Sequence, residues 1–441
     1  MNIVFLGIVF VAFVSAAVRE ILWLGGQISP MESLSKGMIE SASGSVELAL
    51  GLIGVMTLFL GLMKVAEAGG LLRVIAALIR PLMVRLFPEV PAHHPAMGAM
   101  ILNLSANVMG LGNAATPFGI RAMQELNTLN ARPGTATDSM ALFLAINTSS
   151  VTLLPTGVIA LRASAGSADP AGILPTTLFA TICSTAAAII AAKLYARFFR
   201  SELRNREEGG EREDKTQASE QPSEKIPQAS AEASPLWAYP VRAYPLWVSL
   251  TAIGVLCAMI PVVVMYGKAI SPWIIPCLMV GFLIYGVVMR VRVYEVFVEG
   301  AKEGFQVAVR IIPYLVAILV AVGMLRASGS LDFMVNWLGP LTERVGLPAE
   351  ALPMALMRNL SGSGAYGILA SIIQDPAIGP DSYTGYVVST LQGSTETTFY
   401  VLAVYFGAVQ VRRIRHTLAA ALTADLVALV ATVFICSLLY R

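Results

Sequence analysis

Long apolar runs with almost no charge dominate this chain, and they constrain its fold more than any other feature. Of its 441 residues 56% are hydrophobic and only 13% are charged, whereas soluble domains carry about 25% charged residues. Runs of roughly 17 or more apolar residues can cross a bilayer. They lie at residues 3–24, 97–124, 138–163, 172–198, 246–267, 271–290, 352–374, 384–410 and 417–440. The pattern predicts an all-α polytopic membrane protein.

Two further apolar pairs have a glycine turn in the middle. Residues 46–66 and 71–87 flank one turn, and residues 305–326 and 331–345 flank the other. Their second arms carry charged residues that lipid would not favour, whereas a hairpin buried in protein tolerates them. The sequence therefore predicts two re-entrant helical hairpins, with gates at their tips formed by Gly69, Gly70, Ser328 and Gly329.

Residues 200–240 interrupt the apolar pattern. This segment is charged, rich in glutamine, serine and proline, and poor in aliphatic residues, which is the composition of a disordered chain. It predicts a cytoplasmic linker between a first repeat over residues 1–199 and a second repeat over residues 241–441. No segment remains that could form a separate soluble domain.

The two halves share three collinear sequence blocks. Residues 38–42 align with 297–301, residues 103–105 with 359–361, and residues 147–150 with 393–396, which places Ser150 opposite Glu396. Positive charge marks cytoplasmic loops. The arginine-rich loops all lie on the cytoplasmic side only if both hairpins are re-entrant. An additional helix at 246–267 would then reverse the membrane orientation of the second repeat. The sequence thus predicts two inverted structural repeats.

Polar residues interrupt the run at 97–124 and its partner at 352–374. Glycine- or proline-interrupted segments at matching positions of two halves are typical of a transporter's binding site at the bilayer midplane. Close helix packing would explain the glycines but not the asparagines and serines beside them. The substrate-binding candidates here are Asn103, Ser105, Asn107, Asn113, Thr116, Asn359, Ser361 and Ser363.

A second polar pair lies at residues 147–150 and 392–398, inside two other predicted spans. An ionised acid at the bilayer centre costs roughly 2.5–3.5 kcal/mol, so Glu396 is expected to face a partner, a cavity or a ligand. On a continuous helix, Ser394, Thr397 and Thr398 would share one face. The alternative is that Glu396 is a packing residue, satisfied by a neighbouring hydroxyl or arginine.

The substrate-binding candidates of this pair are Asn147, Thr148, Ser149, Ser150, Gln392, Ser394, Thr395, Glu396, Thr397 and Thr398. The arginines that could pair with Glu396 are Arg310, Arg326 and Arg358.

No catalytic or metal-binding constellation accompanies these polar stretches. The three histidines lie at positions 93, 94 and 416, and the four cysteines form no Cys-x-x-Cys pair. The net charge is +2, and no basic run is interleaved with aromatic residues. The sequence predicts no enzyme, no catalytic residue, no metal site, no bound cofactor and no nucleic-acid partner.

Several long motifs resemble known bacterial families. The segments at 64–70, 87–91 and 103–117 resemble spore maturation protein A, and those at 310–317, 360–365 and 392–407 resemble spore maturation protein B. The chain therefore resembles a fusion of the two. Both families are similar to the nucleoside-recognition or gate group and to the core of concentrative nucleoside transporters. This resemblance implies inverted repeats with re-entrant hairpins, solute movement, and a multi-pass position in the bacterial cytoplasmic (inner) membrane.

The leading hypothesis is a transporter or permease for a small polar solute, which binds at the bilayer midplane between the two repeats. Glu396 is the candidate group for coupling to a proton or sodium ion. The alternative is a non-transporting membrane module in envelope or spore maturation. The expected partners are the solute and the lipid bilayer. The solute, the coupling ion, the direction of transport and assembly into a homo-oligomer are left open.

Overall fold

All regular secondary structure in the described part of the chain is helical. The computed structural model describes residues 2–23, 25, 28–110, 112–150, 152–208 and 244–441. Within these ranges, the only β-type backbone pairing is one isolated bridge between Thr135 and Arg413. The predicted all-α fold is confirmed.

The helices follow one order in the first half and a similar order in the second. The first half contains α1 (Asn2–Ile21), α2 (Pro30–Ala68), α3 (Leu71–Leu86), α4 (Pro95–Val108), α5 (Gly112–Thr128), α6 (Asp138–Ser149), α7 (Thr156–Ser164) and α8 (Ile173–Glu208). The second contains α9 (Leu246–Val288), α10 (Val293–Ala327), α11 (Ser330–Thr342), α12 (Leu352–Leu360), α13 (Gly362–Ile373), α14 (Tyr383–Ser394), α15 (Thr398–Gly407) and α16 (Thr417–Tyr440).

The two predicted glycine turns are present. Gly70, between α2 and α3, has φ 86°, and Gly329, between α10 and α11, has φ 74°. This left-handed conformation suits glycine because a Cβ atom would crowd the backbone. The first arms are longer than the predicted runs, since α2 already begins at Pro30, where the Ser29 side chain accepts a hydrogen bond from the Glu32 amide.

Four breaks interrupt the helical path in the described residues. The α4/α5 break contains Gly110 with φ 75°, and the α12/α13 break is at Ser361, as the polar interruptions predicted. Two further breaks separate α6 from α7 and α14 from α15. The prediction of continuous spans over 138–163 and 384–410 is therefore wrong, and so is the shared helical face of Ser394, Thr397 and Thr398.

The prediction of two separate helices at the start of the second half is wrong. Residues 246–267 and 271–290 were expected to be two spans, but the structure has one helix from Leu246 to Val288. The helix runs through Gly267 and Pro272, although a glycine costs a helix interior about 1 kcal/mol and a proline about 3 kcal/mol, so local propensity does not decide where it ends. The inference that a separate helix at 246–267 inverts the second half loses its basis. Helix α8 also continues to Glu208, inside the predicted 200–240 linker, while residues 209–243 lie outside the described residues.

Corresponding helices of the two halves pack antiparallel. Gly37, early in α2, packs against Ala327 at the end of α10, whereas Gly61, late in α2, packs against Phe297 near the start of α10. Helices α8 and α16 follow the same rule: the Tyr440 hydroxyl donates to the Gly172 carbonyl at 2.6 Å. At the other end of this contact, the Ser184 hydroxyl donates to the Ala424 carbonyl at 3.1 Å.

The hydrophobic core is shared by both halves. The largest buried cluster joins Met97, Met100 and Phe143 of the first half to Tyr405 and Phe406 of the second. Phe143 and Tyr405 stack with their ring centroids 6.2 Å apart. The two halves therefore form one packed unit in this region.

A fully buried arginine fastens α7 to the second half. Arg162 donates from Nη1 to the Pro380 carbonyl at 2.6 Å and from Nη2 to Asp381 Oδ1 at 2.9 Å. Its guanidinium lies 4.3 Å from the ring centroid of Tyr386, which stacks on Tyr440. A buried guanidinium needs such partners because an unpaired buried charge is strongly unfavourable.

We expect Arg162→Ala to lower the free energy of unfolding by about 3 kcal/mol, because it removes several buried hydrogen bonds and a cation–π contact together. Denaturant unfolding in detergent micelles measures the change. Arg121→Ala is the matched control: that side chain is 54% accessible and pairs with Glu125, one turn away. Such a surface pair is worth about 0.5 kcal/mol. Equal losses for the two variants would contradict the assigned role of Arg162.

Candidate functional site

The breaks of α6/α7 and α14/α15, one from each half, lie against each other. The backbone amide of Glu396 donates to the Thr148 carbonyl at 2.8 Å. Next to this contact, Gly393 packs against Pro155 and Thr177 so closely that a Cβ atom would lie only 3.1 Å from either side chain. The contact satisfies backbone groups that the two interrupted helices leave without helical partners.

The α4/α5 break joins the same region through amide side chains. Asn107 Nδ2 donates to Asn147 Oδ1 at 3.0 Å, and the amide of Leu153 donates to the Val108 carbonyl at 3.1 Å. Asn103 Nδ2 lies 2.7 Å from the Ala115 carbonyl and 3.2 Å from the Tyr405 hydroxyl. The sequence-predicted asparagines thus connect three of the interrupted helices.

Arg358 supplies positive charge at the α14/α15 break. Its Nη1 donates to Thr397 Oγ1 at 3.2 Å, and its Nη2 lies 3.8 Å from Glu396 Oε2. Of the three arginines proposed as partners of Glu396, Arg358 is the one that pairs with it. Arg326 pairs instead with Asp375 at 3.1 Å, and the side chain of Arg310 lies outside the described residues.

Glu396 is the accessible member of this break. Its side chain is 44% accessible, whereas Thr395, Thr397 and Thr398 are buried. The carboxylate therefore reaches open space while the neighbouring hydroxyls face the protein. Glu396 is therefore the accessible charged group at this break, and the buried Arg358 guanidinium lies behind it.

Asp425 is a residue that the sequence reasoning missed. It lies in α16, is 7% accessible, and its Oδ2 accepts a hydrogen bond of 2.6 Å from Thr398 Oγ1. Asp425 is the one acid in the predicted span at 417–440. The cost of a carboxylate in lipid, which singled out Glu396, applies equally to Asp425 and could have identified it.

The remaining sequence-predicted residues divide by their partners. Some bond carbonyls of their own helix, namely Ser105, Ser149, Ser394 and Thr395. Ser361 caps α13 and contacts Ser363, while Ser150 bonds Thr152. Gln392 is buried, Asn359 is half-buried, and Thr116 lies in α5. The side chain of Asn113 lies outside the described residues.

The hairpin tips contact other parts of the molecule. The Gly69 carbonyl accepts from the Tyr285 hydroxyl at 3.1 Å, and the Ser328 carbonyl accepts from Arg19 Nη1 at 2.9 Å. Gly69 and Gly70 also line a small cleft of ≈ 170 Å³. The hydrogen bonds described at the tips are made with Tyr285 and Arg19, not with the polar residues at the breaks.

Two larger clefts, of ≈ 530 and ≈ 550 Å³, lie beside α2 and the end of α13. They share Gly44, Gln374, Asp375 and Pro376, and neither is lined by a sequence-predicted substrate-binding residue. Among the described residues, no group of three or more histidine, cysteine, aspartate or glutamate side chains could hold a metal ion.

Comparison with known proteins identifies relatives of both halves. The model of the Gate family, described as nucleoside recognition, matches residues 49–165 and 308–412. Spore maturation protein B of Bacillus subtilis is 47% identical over 166 residues, which are 38% of this chain and 92% of that protein. Spore maturation protein A of the same organism is 43% identical over 160 residues, which are 36% of this chain and 82% of that protein. These matches are consistent with a fusion.

A more distant relative is the inner membrane protein YjiG of Escherichia coli K12, 32% identical over 104 residues, which are 23% of this chain and 65% of that protein. No solved structure matches the chain. Within the described residues, Ile173–Phe198 and Thr417–Tyr440 are long and apolar enough to cross a membrane. This finding agrees with the membrane location that the name of this relative states.

We expect Gly110→Ala to destabilise the α4/α5 break. Gly110 has φ 75°, which costs a residue with a Cβ about 1 kcal/mol. The new Cβ would also collide with the Leu154 carbonyl oxygen, whereas at Gly166, with φ 77°, it would enter open space. Unfolding in detergent should therefore show a loss for Gly110→Ala that exceeds the loss for Gly166→Ala by at least about 1 kcal/mol. Similar losses would mean that the break repacks freely.

Proposed function

Since the chain belongs to the Gate nucleoside-recognition family and joins relatives of spore maturation proteins A and B, we propose that it is a transporter of a small polar solute. In this proposal the chain crosses the bacterial cytoplasmic membrane several times. The observation that carries the proposal is the contact between two helix breaks, one from each half, beside Arg358 and the accessible carboxylate of Glu396.

The chemistry of the breaks suits a solute with both donors and acceptors. Interrupted helices release amides and carbonyls that can bind a ligand within a membrane. Arg358 adds donors and Glu396 adds acceptors, while Asn107 and Asn147 supply amide groups nearby. A nucleoside or an amino acid offers the complementary pattern. The proposal includes no catalytic step.

The antiparallel packing of corresponding helices supports inverted repeats over 1–199 and 241–441. Helices α2 and α10 run in opposite directions, and so do α8 and α16. Because each hairpin turn follows directly on α2 or α10, Gly70 and Gly329 lie at opposite ends of this helix pair. Two oppositely directed units around one site suit alternating access, and re-entrant hairpins would open the site to each side in turn.

We expect Glu396→Gln to reduce uptake at least about tenfold, because a lost charge-assisted hydrogen bond costs about 1.5–3 kcal/mol. A thermal-shift screen of purified protein against nucleosides, amino acids and dicarboxylates identifies the solute first, since a ligand of the native state raises the melting temperature. Uptake of the labelled solute into proteoliposomes then measures the effect. Glu343→Gln, at an exposed position outside the breaks, is the control. Equal uptake by both variants and the wild type would remove Glu396 from the mechanism.

A second candidate function is a non-transporting membrane module that takes part in envelope or spore maturation. The observation in its favour is that the asparagines at the breaks bond each other and nearby carbonyls, while the larger clefts are lined by other residues. This function predicts that no solute of the screen binds, and that substitutions at the breaks change folding or complex formation alone.

A further inference from the structure

Asp425 is a buried acid whose hydrogen bonding is half complete. Its Oδ2 accepts from Thr398 Oγ1 at 2.6 Å, but no group of the described residues forms a hydrogen bond with its Oδ1. An ionised carboxylate with one bare oxygen in a dry environment is strongly unfavourable, and such a group binds a proton or a cation instead. A bound positive charge would therefore stabilise the carboxylate of Asp425 at this site.

The charged groups around Asp425 do not neutralise its ionised carboxylate completely. Among the described residues, Arg358 of α12 is the cation whose charge acts on Asp425, and this guanidinium is already engaged with Thr397 and Glu396. Tyr366, from α13, also faces Arg358. One guanidinium thus stands against two carboxylates, so the cluster carries one net negative charge when both acids are ionised. A single proton makes it neutral.

The two acids are not equivalent as carriers of this proton. Glu396 is 44% accessible, so water or a solute can stabilise its ionised form. Asp425 is 7% accessible, and Thr398 is the hydrogen-bond partner described for it. Metal cations that prefer oxygen take about six or more ligands, which a carboxylate and one hydroxyl do not provide. A proton needs only the carboxylate itself.

Consecutive residues connect the proton-binding acid to the accessible one. Glu396 carries the exposed carboxylate, Thr397 accepts from Arg358, and Thr398 donates to Asp425 as α15 begins. A solute that binds Glu396 or displaces Arg358 therefore acts one or two residues away from the hydroxyl that bonds Asp425. Loss of the Arg358 field or of the Thr398 hydrogen bond strengthens the hold of Asp425 on its proton.

We propose that Asp425 is a proton-binding site in α16 whose occupancy is linked to the solute at the α14/α15 break through Arg358 and Thr398. The link to transport rests on the proposed function above. The proton site itself rests on the burial and contacts of Asp425, and the two can be tested separately.

Infrared spectroscopy of the full-length protein in lipid vesicles tests the proton site without a solute. Near neutral pH, exposed acids are ionised, so a carboxylic-acid carbonyl band reports a buried protonated acid. We expect this band in the wild type and in Glu343→Gln, which leaves the cluster unchanged, and its loss in Asp425→Asn. A wild type without the band, or an Asp425→Asn variant that keeps it, overturns the proposal.

Thr398→Val provides a second variant in case Asp425→Asn does not fold. It removes the hydroxyl that bonds the carboxyl but leaves the acid in place, so the band should remain and change its frequency. An unchanged band would show that the signal comes from another acid and would overturn the assignment. The band should have the same intensity in a choline buffer and in a sodium buffer. If the band is present in choline but disappears when sodium is added, the site binds sodium instead of a proton.

Uptake into proteoliposomes under an imposed pH gradient tests the link to transport. The wild type should accumulate the solute found by thermal shift, and Asp425→Asn should equilibrate it without accumulation. Accumulation by Asp425→Asn equal to the wild type overturns the link. If no solute is transported by the wild type, the proposed function fails, while the Asp425 band still decides whether the proton site exists.

Discussion

Satisfying backbone hydrogen bonds away from water is the constraint on which this structure depends. Each interrupted helix leaves amides and carbonyls without helical partners, and lipid cannot bind them. The structure pairs such groups across breaks: the Glu396 amide bonds the Thr148 carbonyl, and the Leu153 amide bonds the Val108 carbonyl. Thr181 of α8 adds a hydroxyl that donates to the Ser149 carbonyl at 3.1 Å. The interrupted helices are therefore stable only in one another's presence.

The same requirement explains why the halves cannot be separate domains. Helix breaks from residues far apart in sequence complete each other, and the buried Arg162 of the first half binds the Pro380 carbonyl and Asp381 of the second. Close contacts through Gly37 and Gly61 bring α2 and α10 together over most of their length. Polar groups and glycines thus connect the halves, whereas aliphatic side chains, which are as apolar as lipid, supply less specificity in a membrane.

A group of charged residues lies beside the α14/α15 break. Arg358 pairs with Glu396 and donates to Thr397, while the adjacent Thr398 donates to the buried Asp425. Such groups are costly inside a membrane and are retained where they perform a task. In the proposed function, the accessible Glu396 contacts the solute and the enclosed Asp425 binds a proton, and Arg358 acts on both acids. Sites of this kind can link two binding events because a change at one acid alters the field at the other.

Sequence alone determined the helical class, both hairpin turns and the α4/α5 and α12/α13 breaks, because glycine, proline and long apolar runs act through local geometry and transfer from water. It also located the polar stretches around Asn147 and Glu396. The α6/α7 and α14/α15 breaks, the uninterrupted α9 and the pairing of Arg358 with Glu396 were decided by tertiary structure. The reason is physical: at these breaks the backbone gives up helical hydrogen bonds for partners in distant segments, and no local pattern specifies which distant group will be there.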